Sequence, residues 1–451
     1  RQEAIHQRDI AERKTQTAER TVAFVKSLFE VSDPSEARGR TVTAREILDR
    51  GAQQIRTGLT NEPAVRAELG TTLAEVYGGL GLYREGDALI REMMGLHHND
   101  KATWTRQTLA LADSQAREGE YAAAVASYRR ALALARNPDQ PREDLVPRIL
   151  VGMGEALSAQ DDFRGASAVI AEGLRLDMAR LGPNHPDVAR DLEAAGLNAY
   201  FSGDLTRARP SYERAIAIRL RAQGSGHPKL SDDFSALGAI AYVQGDTGAA
   251  ERRYRQALHF DITTLGPNHP DVASTSNNLA RIILERRGYA EAQGLLQHAV
   301  EINLAQRGPD HDDIIFPLEN LAMTEQQLGH FREADNLYRR ALRPARLHNH
   351  RGLGPVLTDL GALHCQTGAT AQGLAEIEEA RPLVARDYPD DPWRMAWLDN
   401  SRAYCLMRAG NRSAAATLFR SSAPALLAKW NARSHFGAIA RERMAAAGVR
   451  P

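Results

Sequence analysis

The sequence predicts an all-α solenoid built from helical hairpins. Positions that hold almost only Gly or Ala recur nine times, mostly at intervals of about 42 residues. Two further series of small residues follow 12 and 19 positions later in each unit. A small residue marks a point where two helices approach too closely for a larger side chain, and this period is typical of stacked hairpins. The first series consists of Ala74, Ala112, Gly154, Gly196, Gly238, Ala280, Ala322, Gly361 and Ala403.

Length, charge and hydropathy argue against nucleic-acid binding and membrane insertion by this chain. The 451 residues exceed the usual domain size of about 100–200 residues, but a solenoid avoids this limit because each repeat packs only on its neighbours. The 57 basic and 57 acidic residues balance, so we expect no global attraction to nucleic acid or to an anionic membrane. No run of about 18 apolar residues is present, so we expect no membrane insertion by this chain. Because the first residue is Arg1 rather than Met, we expect a piece of a longer protein.

The N-terminal 60 residues are predicted to form a helical extension. Residues 1–30 have the pattern of one charged helix, which Pro34 would end. Thr43 is a predicted N-cap for a second helix that turns Leu48, Ile55 and Leu59 inward. Nine repeats then span residues 61–422, and a capping helix and tail span 423–451.

Each repeat has the same predicted anatomy of helix, turn and helix. The turn contains a Gly, as in Gly203-Asp204, because Gly relieves the left-handed conformation that ends a helix. The linker between repeats is the most distinctive stretch, since residues 181–189 recur identically as residues 265–273 (LGPNHPDVA). Pro186 and Pro270 fit the first turn of the following helix, where a missing N–H is harmless.

This anatomy resembles the tetratricopeptide repeat in its 42-residue form. The linker and the Asn277-Asn-Leu-Ala280 stretch resemble repeats of kinesin light chain and its bacterial relatives. The resemblance covers about residues 62–422 and implies a right-handed superhelix whose concave groove binds a protein or peptide. Peptide binding in this family is a broad property, so the resemblance names no particular ligand.

A second resemblance concerns the segment before the repeats. Residues 24–34 (FVKSLFEVSDP) and 37–51 (ARGRTVTAREILDRG) resemble the region that joins membrane and repeats in bacterial eukaryotic-type Ser/Thr kinases. This implies that the chain is the C-terminal interaction or sensor region of such a kinase, anchored through an upstream segment, with the repeats outside the cytoplasm. The alternative is a free-standing adaptor, or a regulatory arm of a transcription factor or cyclase, which would place the repeats in the cytoplasm.

The predicted ligand site lies on the first helices, which line the concave side in this family. Asn can both donate and accept hydrogen bonds to a peptide backbone, and Tyr offers apolar area with a polar end. The resemblance implies a peptide contact for Asn278 and Asn320, although an Asn that ties adjacent helices together is the alternative. By helical phase, the face comprises Tyr200, Tyr242, Asn278, Arg281, Glu285, Asn320, Asn400 and Tyr404.

We predict no catalytic residue, cofactor or metal site. The Gly-rich loop, strand Lys and Asp-Phe-Gly of a kinase are missing from the sequence. His6-Gln-Arg-Asp9 has an inserted residue, and Arg190-Asp-Leu192 with Asn198 has the wrong spacing for a catalytic loop. The linker histidines recur one per repeat, too far apart to share an ion, so a turn role is predicted instead. These are His185, His227, His269 and His311.

Two further features have open interpretations. A basic stretch is either a solvated face or a phosphate or acidic-peptide site. It contains Arg339, Arg340, Arg343, Arg346, His348, His350 and Arg351. Cys365 and Cys405 lie on first helices of adjacent repeats, where two buried thiols are favoured over a disulfide.

Overall fold

A computed structural model describes residues 43–58, 62–80, 82–96, 101–139, 141–430 and 434–450. The predicted helix over residues 1–30, its end at Pro34 and the inward position of Leu59 lie outside the described residues, as do most of residues 24–51. The described residues form 20 α-helices and one short 3₁₀ helix. Two compact units divide the chain, comprising residues 1–218 and 219–451.

The helices of unit 1 follow one another as packed pairs after an opening helix. Thr43 Oγ1 accepts from the Glu46 N–H at 3.2 Å, and Glu46 Oε2 accepts from the Thr43 N–H at 3.3 Å. This capping box begins α1 and confirms the predicted N-cap, with Leu48 and Ile55 buried. The helices are α1 (Ala44–Gly58), α2 (Pro63–Gly79), α3 (Tyr83–Met94), α4 (Lys101–Arg117), α5 (Tyr121–Ala135), α6 (Val146–Ser158), α7 (Phe163–Leu181), α8 (Pro186–Phe201) and α9 (Leu205–Gln223), which ends inside unit 2.

Unit 2 continues the same pairing and adds one helix at its end. In each pair the helix that comes first in the chain is called the first helix, and the first helices of unit 2 are α10, α12, α14, α16 and α18. The helices are α10 (Lys229–Val243), α11 (Thr247–Leu265), α12 (Pro270–Glu285), α13 (Tyr289–Arg307), α14 (Ile315–Gln327), α15 (Phe331–Leu347), α16 (Leu353–Thr367), α17 (Thr370–Asp387), α18 (Pro392–Arg408), α19 (Arg412–Lys429) and α20 (His435–Ala446). The chain therefore has the predicted all-α solenoid fold.

The recurrent small residues lie where the two helices of a pair touch. A Cβ at Gly196 would come within 2.8 Å of the Tyr212 ring, and one at Gly238 within 2.9 Å of the Tyr254 ring. Real Cβ contacts are almost never this short. The predicted phase of the small-residue series is confirmed in these hairpins.

The repeated linker folds as its sequence predicts. Gly182 and Gly266 both adopt φ of 88°, which only Gly reaches without strain. The imidazole Nδ1 of His185 then accepts from the Asp187 N–H at 3.2 Å, and His269 repeats this bond with Asp271. Each of these histidines is the N-cap of the next helix, which confirms the turn role.

Replacing Gly238 with Leu is expected to lower the free energy of unfolding by about 1–3 kcal/mol or more, because extra methylenes would enter a filled contact. Gly294→Leu is the matched control, since a Cβ there meets nothing within 4 Å and Leu favours helix more than Gly does. Thermal and urea unfolding of both variants gives the comparison. Equal stability of Gly238→Leu and wild type would contradict the assigned phase.

Candidate functional site

The last helix lies on the first-helix face of unit 2. α20 contacts α12 and α18 as well as its chain neighbour α19. Its His435 Nε2 also lies 2.9 Å from Sδ of Met323 on α14. A helix that only capped the end of the repeats would contact the last pair alone. α20 therefore covers part of the surface on which the sequence placed the ligand site.

The C-terminal end of α20 is held through Arg443. Its Nη1 donates to Asn400 Oδ1 at 3.3 Å and to Ser401 Oγ at 3.2 Å. The guanidinium carbon lies 5.1 Å from the Trp397 ring centre and 4.8 Å from the Tyr404 ring centre. Cation–π attraction of this kind adds roughly 0.5–2 kcal/mol per contact. Two aromatic rings, an amide and a hydroxyl thus surround one cation.

The N-terminal end of α20 is held around His435. Glu285 Oε2 accepts from the His435 backbone N–H at 3.3 Å, and a carboxylate at a helix N-terminus is favourable. The Tyr289 hydroxyl lies 3.4 Å from His435 Nδ1. Burial lowers the pKa of His435 to about 4, and it raises the pKa of Glu285. The imidazole is accordingly neutral at pH 7.

An aromatic cluster lies between these two ends. Phe436 of α20 packs edge-on against Trp397 with ring centres 4.9 Å apart, and it lies 5.2 Å from Trp430. Trp430 in turn packs against Trp393 at 5.3 Å and Tyr242 at 6.4 Å. Aromatic pairs at such separations contribute about 0.5–1.5 kcal/mol beyond area burial. The cluster connects α20 to α10 and α18.

Two buried carboxyls lie on the neighbouring first helices α14 and α16. Asp359 on α16 accepts from Trp397 Nε1 at 2.8 Å, and Glu319 on α14 is likewise buried. Burial raises the pKa of Glu319 to about 8, and it raises the pKa of Asp359 to about 6 although Arg443 and Arg394 attract its charge. At pH 7 Glu319 is therefore mostly protonated, and Asp359 is the carboxylate that attracts the Arg443 cation.

Five of the predicted face residues come together here, namely Tyr242, Arg281, Glu285, Asn400 and Tyr404. The Tyr242 hydroxyl donates to Glu285 Oε1 at 3.1 Å, and the Arg281 guanidinium lies 5.0 Å from the Tyr242 ring centre. Asn400 and Tyr404 both contact Arg443. These residues have α20 or one another as partners in the structure.

The other three predicted residues lie apart from this cluster. Asn320 Nδ2 donates to Asn277 Oδ1 at 2.9 Å, so it ties α14 to α12, which was the alternative role. Asn278 is half-buried on α12. Tyr200 belongs to unit 1, where its ring meets Phe201 edge-on at 5.6 Å.

The residues that contact this face from the C-terminal segment were not predicted from the sequence. Trp430, His435, Phe436 and Arg443 lie outside the repeat period, so no repeat position marks them. A compositional signal was present, because three of the four tryptophans fall within residues 393–430. Such clustering indicates a shared aromatic site when the rest of the chain is poor in aromatic residues.

Unit 1 has a separate open cavity lined by residues of α4, α5, α6 and α8. It measures about 510 Å³ and is lined by Arg117, Tyr121 and Arg148, among others. Asp113 accepts from the Tyr128 hydroxyl at 2.7 Å and from Arg148 Nη2 at 2.6 Å at this cavity. The lining carries charges of both signs and therefore favours no simple anion or cation.

The structure resolves the two open features of the sequence. The basic stretch forms ion pairs with neighbouring repeats, including Arg343 with Asp310 and Arg346 with Glu379, as a solvated face does. The preference for two thiols was wrong, because Cys365 and Cys405 form a disulfide with Cα atoms 5.2 Å apart. Their helices are first helices of adjacent pairs, and the close approach of these two helices brings the cysteines within bonding reach.

The described part of the chain contains neither a metal-type cluster nor a membrane-crossing helix. No group of three or more His, Cys, Asp or Glu side chains converges on one point among the residues that the structure covers. Within the same residues, no helix combines the length and the apolar character that spanning a bilayer requires.

Comparison with known families identifies the repeat class. A tetratricopeptide repeat model matches residues 145–221, 234–302 and 271–346, and a second tetratricopeptide repeat model matches residues 108–142. These segments are tetratricopeptide repeats. No curated protein sequence matches the chain.

Solved structures with similar folds include RapI in its apo form. Its TM-score is 0.53 at 13% identity, over 77% of this chain and 100% of RapI. BtubC (BKLC) from P. vanneervenii gives a TM-score of 0.41 at 18% identity, over 59% of this chain and 94% of that one. A putative kinesin light chain from Podosopora anserina gives 0.41 at 19% identity, over 46% and 97%. At these identities the RapI similarity shows a common tetratricopeptide-like fold and nothing about function.

Proposed function

We propose that this chain is a non-catalytic scaffold that binds a protein or peptide segment on its first helices. One observation carries the proposal: the first-helix face of unit 2 holds a helix, α20, through side chains of α12, α14 and α18. Aromatic rings, amides and buried carboxyls are the groups that recognise a peptide side chain and orient it. The face therefore has the chemistry needed for a peptide ligand.

The proposed ligand face joins the α20 site to its neighbours along α12 and α14. Tyr242, Arg281, Asn400 and Tyr404 form the part that α20 contacts or borders. Asn278 and Asn320 form the adjacent part. In unit 1, taken by itself, Tyr200 lies on a first helix, and we propose a peptide contact for it there. A peptide backbone that crossed Asn278 and Asn320 would gain hydrogen bonds independent of its sequence.

Capture of partners with the whole chain, followed by peptide-array mapping and titration, tests this proposal. The double change Asn278→Ala and Asn320→Ala is expected to weaken a mapped peptide about tenfold, because each lost hydrogen bond is worth roughly 0.5–1.5 kcal/mol. Asn277→Ala is the matched control, since it breaks the Asn277–Asn320 bond without removing either proposed contact. Arg252→Ala, on the exposed side of α11, should have little effect.

The controls make the result decisive. An equal loss in Asn277→Ala would show that the helix tie, rather than ligand contact, explains the effect. Unchanged affinity in the double variant would remove these two residues from the site.

For the parent protein, we propose the C-terminal interaction region of a bacterial Ser/Thr kinase. The kinase-like segment before the repeats supports this context. The Cys365–Cys405 disulfide supports a location outside the cytoplasm, since disulfides persist mainly in oxidising compartments. A kinase domain and a membrane helix encoded upstream of residue 1 are expected. An upstream transcription-factor or cyclase domain, or none, would favour the alternative of a regulatory arm or free-standing adaptor.

A further inference from the structure

The way α20 is held points to the identity of the ligand that this face takes. Phe436 and Arg443 are seven residues apart, two helical turns, so they project from one face of α20. Both meet Trp397, with Phe436 4.9 Å from its ring centre and the Arg443 guanidinium carbon at 5.1 Å. Trp397 is thus contacted by an aromatic ring and a cation that a single helix presents.

The polar contacts of α20 are of a kind that a competitor can replace. Arg443 bonds a neutral amide and a neutral hydroxyl at 3.2–3.3 Å. Its guanidinium makes no ion pair with a carboxylate among the described residues. The ion pair between Arg287 and Glu442 is exposed, with 45% and 67% of the two side chains accessible, and such pairs contribute little. Another helix that presents an aromatic residue and an arginine at the positions of Phe436 and Arg443 could make the same contacts.

The other side of α20 is packed differently. Met444 is fully buried and Val449 nearly so, and they join Ala403, Ala415 and Phe419 in the core of the last helix pair. This packing tethers the C-terminal segment to the repeats whether or not Phe436 and Arg443 contact Trp397. A tethered segment has a high effective concentration and competes strongly with a free ligand.

We propose that α20 is an internal ligand, and that the first-helix face of unit 2 binds a partner helix that presents an aromatic residue followed seven positions later by an arginine. The partner displaces Phe436 and Arg443 from Trp397, Asn400 and Tyr404. The buried carboxyl of Asp359 attracts the cation. The inference rests on the proposed function, because it names the ligand chemistry and the regulation of the same face.

A peptide with the sequence of residues 434–450 is the probe, added to the whole chain. We expect it to bind wild type weakly and to bind the Phe436→Ala, Arg443→Ala double variant at least about tenfold more tightly, because that variant no longer fills its own site. A peptide with Ala in place of its arginine should bind neither protein. Emission from Trp393, Trp397 and Trp430, three of the four tryptophans, reports on the site directly.

Glu442→Ala is the matched control, since it changes the neighbouring residue and breaks only the exposed ion pair. Its peptide affinity should equal that of wild type. Where the double variant loses helix content, Arg443→Lys takes its place, because Lys retains the charge but lacks the planar group that stacks on aromatic rings.

Several results would overturn the inference. Equal peptide affinity for wild type and variant would show that α20 does not block the face. Absence of binding to a folded variant would make α20 a fixed structural helix. A wild-type dimer that the variant abolishes would assign the site to α20 of a second copy. If the 434–450 peptide does not bind but the Asn278→Ala, Asn320→Ala variant still weakens the mapped peptide, this inference fails and the proposed function stands.

Discussion

Replacing Arg219 with Ala is expected to lower the free energy of unfolding by about 3–5 kcal/mol. Arg219, on α9, forms an ion pair with Asp233 on α10. Only 3% of Arg219 and 0% of Asp233 are exposed. Removal of Arg219 leaves the Asp233 charge in a buried site and removes the Coulombic attraction of this pair, so the desolvation penalty is less well compensated.

A double-mutant cycle separates this penalty from the intrinsic strength of the pair. Arg219→Met combined with Asp233→Leu should be far more stable than either single change, because no charge remains buried. Arg255→Ala is the control, since its pairs with Glu251 and Glu291 are exposed and should contribute less than about 1 kcal/mol each. Urea unfolding gives the free energies of unfolding of wild type, Arg219→Met, Asp233→Leu and the double variant. Equal losses in Arg219→Ala and Arg255→Ala would contradict a desolvated pair.

The solenoid could be predicted from sequence because its determinants are local and repeated. A small residue at Gly238 is required by the ring of Tyr254, which is on the next helix of the same hairpin. The requirement recurs in every unit, so the pattern is visible without any long-range information. The N-cap role of His185 and His269 was predictable for the same reason, since the capped N–H lies two residues away.

The location of α20 could not be predicted from the same patterns. His435 contacts Glu285 across 150 residues and Met323 across 112 residues. No periodic signal specifies a partner at such a distance, and the helix occurs only once. A capping helix within residues 423–451 was predicted, but its contacts depend on which surface of the repeats offers aromatic and polar partners.

The helix on which each candidate residue lies was predictable, but the partners of their side chains were not. Tyr242, Asn400 and Tyr404 lie on first helices as the helical phase predicted, because phase follows from the repeat. It did not show that Asn320 would bond Asn277, since that depends on the separation of two neighbouring helices. The disulfide depends on the same separation, which explains why two thiols appeared the simpler interpretation of Cys365 and Cys405.

Acidification from about pH 6.5 to pH 4 is expected to weaken the docking of α20 through His435, by at most about 3 kcal/mol. The docked imidazole is 1% exposed and its pKa is about 4, whereas a released helix would regain the ordinary value of about 6.5. Between these values the released state binds one more proton than the docked state. The contribution of His435 to docking is therefore complete above about pH 6.5 and declines as the pH falls.

Charged and titratable groups surround His435, so the effect of its own titration has to be isolated by comparison with a His435 variant. Arg287 and Arg443 add positive charge that disfavours the protonated imidazole, while Tyr289 contacts the ring. Glu285 acts in the opposite direction, because burial raises its pKa and protonation at low pH then favours the docked state.

His435→Gln removes only the titration of the histidine, and Glu285→Gln removes only the opposing titration of the glutamate. Tryptophan emission and amide exchange in α20, followed from pH 7 to 4.5, should show a steeper loss of docking in wild type than in His435→Gln, and the steepest loss in Glu285→Gln. An identical pH profile for wild type and His435→Gln would show that His435 keeps the same pKa in the docked and released states, contrary to its burial against α12 and α14.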